Sequence, residues 1–201
     1  MPPARTTFLF YSHPLHLEQE SIRDACNHPW ASGIANLVFF RWSEDARGHL
    51  VRYLEQLFRS TPASFGIRLP QDVDPKLFEL LSRTRCRQLE TVVLTDPFRP
   101  LDTRLLTRTV HMVRAALPGR QLLVEVADLD EFALARELAV DGVVLLGSDG
   151  GLRRSRHSTL ILLQAVLQRR DGLKVFAKGG IGIGSAAGFL AAGADGVVFE
   201  S

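Results

Sequence analysis

The densest chemical signal lies in Lys174–Ser201, KVFAKGGIGIGSAAGFLAAGADGVVFES, where Gly179, Gly180, Gly182 and Gly184 follow a short apolar strand at the point where the chain turns into a helix. Backbone N–H groups in such a turn have no side chains shielding them. They also lie beside the partial positive charge of a helix N-terminus, an arrangement that holds a phosphate. The same glycines would equally serve a tight turn and close helix packing alone, and their spacing is not the dinucleotide fingerprint. Lys178 closes the strand before them. A lysine at the end of a buried apolar strand must find an anion or carry a desolvation penalty, so it either holds a phosphate or pairs with Glu125 or Glu200.

These residues are positioned by a chain that alternates strand and helix patterns from end to end. Apolar strands are expected at Thr7–Tyr11, Ala35–Phe40, Ser64–Leu69, Thr91–Leu94, Gln121–Val126, Gly142–Leu146, Lys174–Ala177 and Ala194–Phe199. Between them the spacing of apolar residues predicts helices over Leu17–Asn27, Glu44–Arg59, from Asp74-Pro75 onward, Asp102–Leu117, Leu129–Ala139, Ser158–Arg169 and Ala186–Ala192, the last capped by Ser185. Glu44–Arg59 is the clearest amphipath, with Leu50, Val51, Leu54, Leu57 and Phe58 recurring among charges. Eight strands apolar enough to be buried on both faces point to an α/β fold, a closed parallel (β/α)8 barrel lacking its last helix; an open doubly wound sheet is the alternative.

In such a barrel the carboxyl ends of the strands carry function. The polar residues there are Tyr11, Ser12, His13, Arg41, Arg68, Thr95, Asp96, Glu125, Asp128, Ser148, Asp149, Lys178, Glu200 and Ser201. Asp96 and Asp128 suit turn and cap positions as well as catalytic ones. His157, among Arg153, Arg154 and Arg156, reads as a solvated loop residue. A chain ending with its eighth strand would leave an apolar strip between the first and seventh helices. The expectation is therefore that residues 1–201 form one domain at the amino-terminal part of a longer polypeptide, or that a partner covers the strip.

Composition narrows the rest. The 201 residues are 46% hydrophobic and 23% charged with a net charge of +2, enough for one sizeable core and no electrostatic case for nucleic acid or an anionic membrane. Cys26 and Cys86 are too few and too isolated for a disulfide framework or a zinc site. No apolar run reaches spanning length, and MPPARTTFLFYSHP is a poor leader. A cytoplasmic protein with no metal is expected.

GSDGG at Gly147–Gly151, the helix STLILLQAVL from Ser158, GGIG at Gly179–Gly182 and AAGADGVV at Ala191–Val198 together resemble the nitronate monooxygenases, formerly 2-nitropropane dioxygenases. The nearest likeness is to the related barrels within modular polyketide and polyunsaturated fatty acid synthases. The resemblance covers Gly142–Ser201; upstream only the order of elements agrees. It implies an FMN-dependent oxidoreductase-like barrel acting on a nitronate or an enoyl chain, with other synthase domains as partners and a homo-oligomer possible. By that likeness Gly150, Gly151, Gly179, Gly180, Gly182 and Ser201 would hold FMN, and Lys178 and Asp149 would contact substrate or flavin. Leu152 stands where the family places its catalytic histidine, and leucine abstracts no proton. Glu200 stands where the family has glycine, and Tyr11-Ser12-His13-Pro14 replaces the flavin-contacting segment after strand one. These departures imply altered or reduced activity, or a flavin-free structural or docking barrel.

Overall fold

The computed structural model describes residues 7–12, 19–28, 31–38, 44–60, 64–83, 88–149, 153 and 155–200. Its strands are β1 (Thr7–Tyr11), β2 (Ala31–Asn36), β3 (Phe65–Pro70), β4 (Leu89–Thr95), β5 (Gln121–Val126), β6 (Gly142–Leu146), β7 (Lys174–Lys178) and β8 (Gly196–Glu200). Between them run α1 (Gln19–Cys26), α2 (Glu44–Ser60), α3 (Pro75–Arg83), α4 (Thr103–Ala116), α5 (Leu129–Glu137), α6 (Thr159–Leu167) and α7 (Ile183–Ala191). Every strand pair is parallel, and β8 closes onto β1 from Thr7↔Gly196 to Tyr11↔Glu200. That closure makes a (β/α)8 barrel and rules out the open sheet.

Strand side chains alternate between lumen and helix layer. The outward set, including Ala35, Ile67, Val92, Val124, Leu145, Val175 and Val197, packs against helix residues such as Leu54, Leu57, Leu77, Val110 and Leu162 in the main core. The inward set stacks in layers contributed by alternate strands, as barrels of this type require. Leu9, Leu123 and Phe176 form the floor; Ile34, Val93, Val144 and Val198 from the even strands lie above them. Tyr11, Arg68, Glu125 and Lys178, from the odd strands, form the next layer, and Asn36, Thr95, Leu146 and Glu200 stand at the mouth. On the outer face at the β8–β1 seam, the partly buried rings of Phe8, Phe199 and Phe10 stack at 6.0 and 5.1 Å.

Two elements are displaced by three residues or more from the sequence reading, the others by two at most. The second strand is Ala31–Asn36 rather than Ala35–Phe40. Its register is set by Ile34 filling the lumen and Asn36 lying level with Arg68, so apolar Leu37 and Val38 are buried just beyond the strand; Phe39 and Phe40 lie outside the described residues. The last helix starts at Ile183, not Ala186, with Gly182 at the N-cap. Ser185 caps from inside the first turn, its Oγ accepting the Gly182 N–H at 3.1 Å, because a glycine N-cap has no side chain to supply its own half of the exchange.

Candidate functional site at the barrel mouth

The carboxyl ends of the strands bring a chain of alternating charges into the lumen. Arg68 on β3 donates from Nη2 to Glu125 Oε2 at 2.6 Å, and Thr95 Oγ1 donates to the same oxygen at 2.6 Å. Glu125 Oε1 accepts from Lys178 Nζ at 3.1 Å, and Lys178 Nζ also meets Glu200 Oε1 at 2.7 Å. Beneath both cations lies the Tyr11 ring, its centroid 5.1 Å from Arg68 Cζ and 4.8 Å from Lys178 Nζ, which lets a ring face share in stabilising the buried positive charge. Asn36 Oδ1 accepts from Arg68 Nη1 at 3.4 Å, and Ser12 Oγ accepts the Asn36 N–H at 3.1 Å. α6 fixes the far side: Thr159 Oγ1 donates to the Lys178 carbonyl at 2.9 Å. A Cβ at Gly147 would run into Thr159, so glycine is needed for α6 to come this close.

Burial alone would push the Glu125 carboxyl up, but Arg68 and Lys178, with hydrogen bonds from Arg68 and Thr95, hold it well below the usual carboxylate range. Burial is also the main reason the Tyr11 phenol is pushed well above its ordinary value, with the negative charge of Glu125 adding to it. At neutral pH Glu125 is therefore charged and Tyr11 is a neutral phenol. Glu125 is fully buried and Lys178 is 1% exposed, whereas the Glu200 side chain is 42% exposed. Glu200 is thus the member of this chain that a ligand in the mouth meets first.

A second network ties the loops around the mouth. Glu131 accepts the backbone N–H of Leu101 and Ala127 and an ion pair from Arg153, whose guanidinium also donates to the carbonyls of Arg99 and Glu125. Asp96 accepts from the N–H groups of Phe98 and Arg99 and from Gln71 Nε2, all at 2.9 Å, and these bonds outweigh its burial and lower its pKa. Asp128 caps α5 through the Glu131 N–H. Both aspartates therefore shape turns. His157 is exposed, with its N–H donated to Ser155 Oγ. Its neighbour Arg153, to which the sequence assigned no role, is buried. Sequence reasoning also missed Asn36, Gln71 and Glu131, whose roles depend on strand register and loop path.

The glycine turn lies beside this mouth. Gly179 and Gly180 have φ of +110° and +61°, and nothing lies within 4 Å of a Cβ placed on Gly182 or Gly184. This open, left-handed backbone ahead of α7 has the shape a phosphate needs. Asp149 is exposed and abuts the turn: a Cβ at Gly180 would lie 3.1 Å from its Cβ and 3.5 Å from its Oδ2. Lys178, the residue before the turn, holds Glu200 Oε1 through its Nζ at 2.7 Å. The turn thus leaves room for a phosphate such as that of FMN, with Asp149 beside it and Glu200 held by Lys178 just before it. Gly150, Gly151, Leu152 and Ser201 lie outside the described residues. Among the described residues no group of three or more His, Cys, Asp or Glu side chains is placed to hold a metal ion, and no helix is long and apolar enough to cross a membrane. An open groove of about 610 Å³ lined by Arg114, Arg120, Gln121, Asp141 and Lys174 lies at the opposite end of the barrel, where the strands begin.

No family's sequence profile matches the chain, and neither does any curated protein sequence. Solved structures do. A thiamine phosphate pyrophosphorylase from Pyrococcus furiosus superposes with a TM-score of 0.67 at 18% identity, over 98% of this chain and 87% of that one. A nitroalkane oxidase from Streptomyces ansochromogenes gives 0.70 at 17%, over 95% of this chain and 64% of that one. FabK from Thermotoga maritima gives 0.72 at 20%, over 96% and 57% respectively. At such identities the likeness is one of fold, and the chain spans less than two thirds of the oxidase and of FabK.

Proposed function

We propose that the chain is an FMN-dependent oxidoreductase-like barrel with activity altered from that of nitronate monooxygenases. In this reading it is one cytoplasmic domain of a polyketide or fatty acid synthase, taking a small-molecule or acyl substrate. The observation that carries it is the glycine turn, with Gly179 and Gly180 in left-handed conformations ahead of the open N-terminus of α7. The oxidase and FabK among its structural neighbours support the same choice. Flavin, when bound, supplies the redox chemistry.

The chain's own residues hold and orient. The backbone of Gly179 and Gly180 receives the phosphate, joined by the Gly182 N–H once it leaves Ser185 Oγ. Glu125, fixed by Arg68 and Thr95, holds Lys178 aimed at the mouth. Tyr11, a neutral phenol at working pH, lines the lumen beneath it. The aspartate beside Gly180, Asp149, is placed to contact flavin or substrate. With Leu152 in place of the family's base, proton abstraction falls to another group.

A second reading is a flavin-free structural or docking barrel, favoured by the two carboxylates flanking the turn, Asp149 and Glu200, which repel a phosphate unless neutralised. The visible spectrum of the purified protein and an FMN titration followed by flavin fluorescence decide between them. Saturable binding supports the oxidoreductase; a folded protein that neither carries nor takes up FMN is the structural barrel.

A further inference from the structure

The two carboxylates that hold Lys178 are not equivalent. Glu125 is fully buried, and its second oxygen is tied to Arg68 and Thr95 at 2.6 Å each. Glu200 closes β8 with its side chain 42% exposed, and among the described residues its carboxylate pairs with Lys178 alone. An ion pair open to water contributes little and re-forms easily, whereas breaking a buried one strands a charge in the interior. If either partner leaves Lys178, it is Glu200.

We propose that the Glu200 carboxylate is an exchangeable counter-ion on Lys178, and that an acidic ligand group, a phosphate monoester or a carboxylate, seats at the barrel mouth by replacing it. The inference rests on the reading of this mouth as a ligand site and names how the ligand's acid is received there. Lys178 is 1% exposed with Glu200 over it; when Glu200 swings into solvent, Nζ is opened toward the mouth. The Tyr11 ring 4.8 Å away and Glu125 at 3.1 Å keep Nζ in place during the exchange. The entering acid reaches Lys178 just before the turn at Gly179 and Gly180, whose left-handed backbone and the following α7 N-terminus offer further donors. Arg68 stays committed to Glu125, so the lumen keeps as many anions as cations before and after the swap. An acid that does not displace Glu200 meets that carboxylate and Asp149 together and is repelled.

Glu200→Gln removes the competing charge and keeps the volume. FMN and riboflavin differ by one phosphate, so the ratio of their affinities isolates that group. The expected result is that Glu200→Gln raises FMN affinity about tenfold and leaves riboflavin within about twofold, and that adding Lys178→Met to it abolishes the gain. An unchanged FMN affinity, a riboflavin affinity that rises in step, or a gain that survives loss of the lysine overturns the inference while leaving the flavin reading intact. If neither protein binds either flavin, the flavin reading fails and the inference is decided by thermal melts in inorganic phosphate and in acetate. Stabilisation greater in Glu200→Gln than in the parent upholds it, and the anion that produces the shift identifies the class; equal shifts overturn it.

Discussion

The floor and the mouth of the lumen are built from the same strands in the same alternating layers, yet they hold together by opposite means. Leu9, Leu123 and Phe176 below, with Ile34, Val93, Val144 and Val198 above them, are apolar and make no demands beyond shape. One layer higher, Tyr11, Arg68, Glu125 and Lys178 bury two cations and an anion that are tolerable only as a set. A layer that gains little from burial but fails badly when one member is lost is poorly explained by stability alone. It stands at the carboxyl ends of the strands, where barrels of this type carry their active sites.

The sharpest way to break the comparison is Glu125→Ala, which leaves Arg68 and Lys178 buried without their common partner. It should cost about 3–5 kcal/mol in urea unfolding. Replacing the set together, as Arg68→Met with Glu125→Leu and Lys178→Met, should recover most of that loss, because the penalty lies in stranding charges rather than in lacking an ion pair. In the floor, Phe176→Ala should cost about 3–5 kcal/mol through cavity formation. No change elsewhere in the floor should rescue it except one that refills the space. Equal rescue of both would erase the distinction between the layers.

Acidity gives a milder test. The Glu125 carboxyl is depressed in the folded state, so its contribution is complete above the ordinary carboxylate value of about 4.3 and is lost as pH falls below it toward the folded-state value. Urea midpoints should therefore decline as pH drops below about 4.3, and the charge-free triple variant should show a shallower decline. Parallel curves would mean the mouth is not the acid-sensitive layer.

How much of this was legible beforehand varies with element. β5 and β6 match their expected bounds because clear breakers flank their apolar runs, Pro118-Gly119 before β5 and Gly147 after β6. β2 did not, since an apolar run longer than a strand leaves register undetermined, and Asn36 was lost with it. Tyr11, Arg68, Glu125, Lys178 and Glu200 were all readable as polar strand ends. Lys178 was expected to hold a phosphate or to pair with Glu125 or Glu200, and it pairs with both; that Arg68 joins Glu125 from 57 positions away was not legible, because only the barrel brings them together. The burial of Arg153 against Glu131 depends on the path of the loop after β6, on which periodicity is silent.

The most direct measurement is an FMN titration of the parent chain beside Gly180→Val. Valine at φ +61° is strained, and its Cβ would press on Asp149, so the turn cannot keep its shape. Saturable binding by the parent, weakened about tenfold or more in the variant, is the result this account predicts. Binding that is indifferent to the substitution, or no binding by a folded parent, would contradict it.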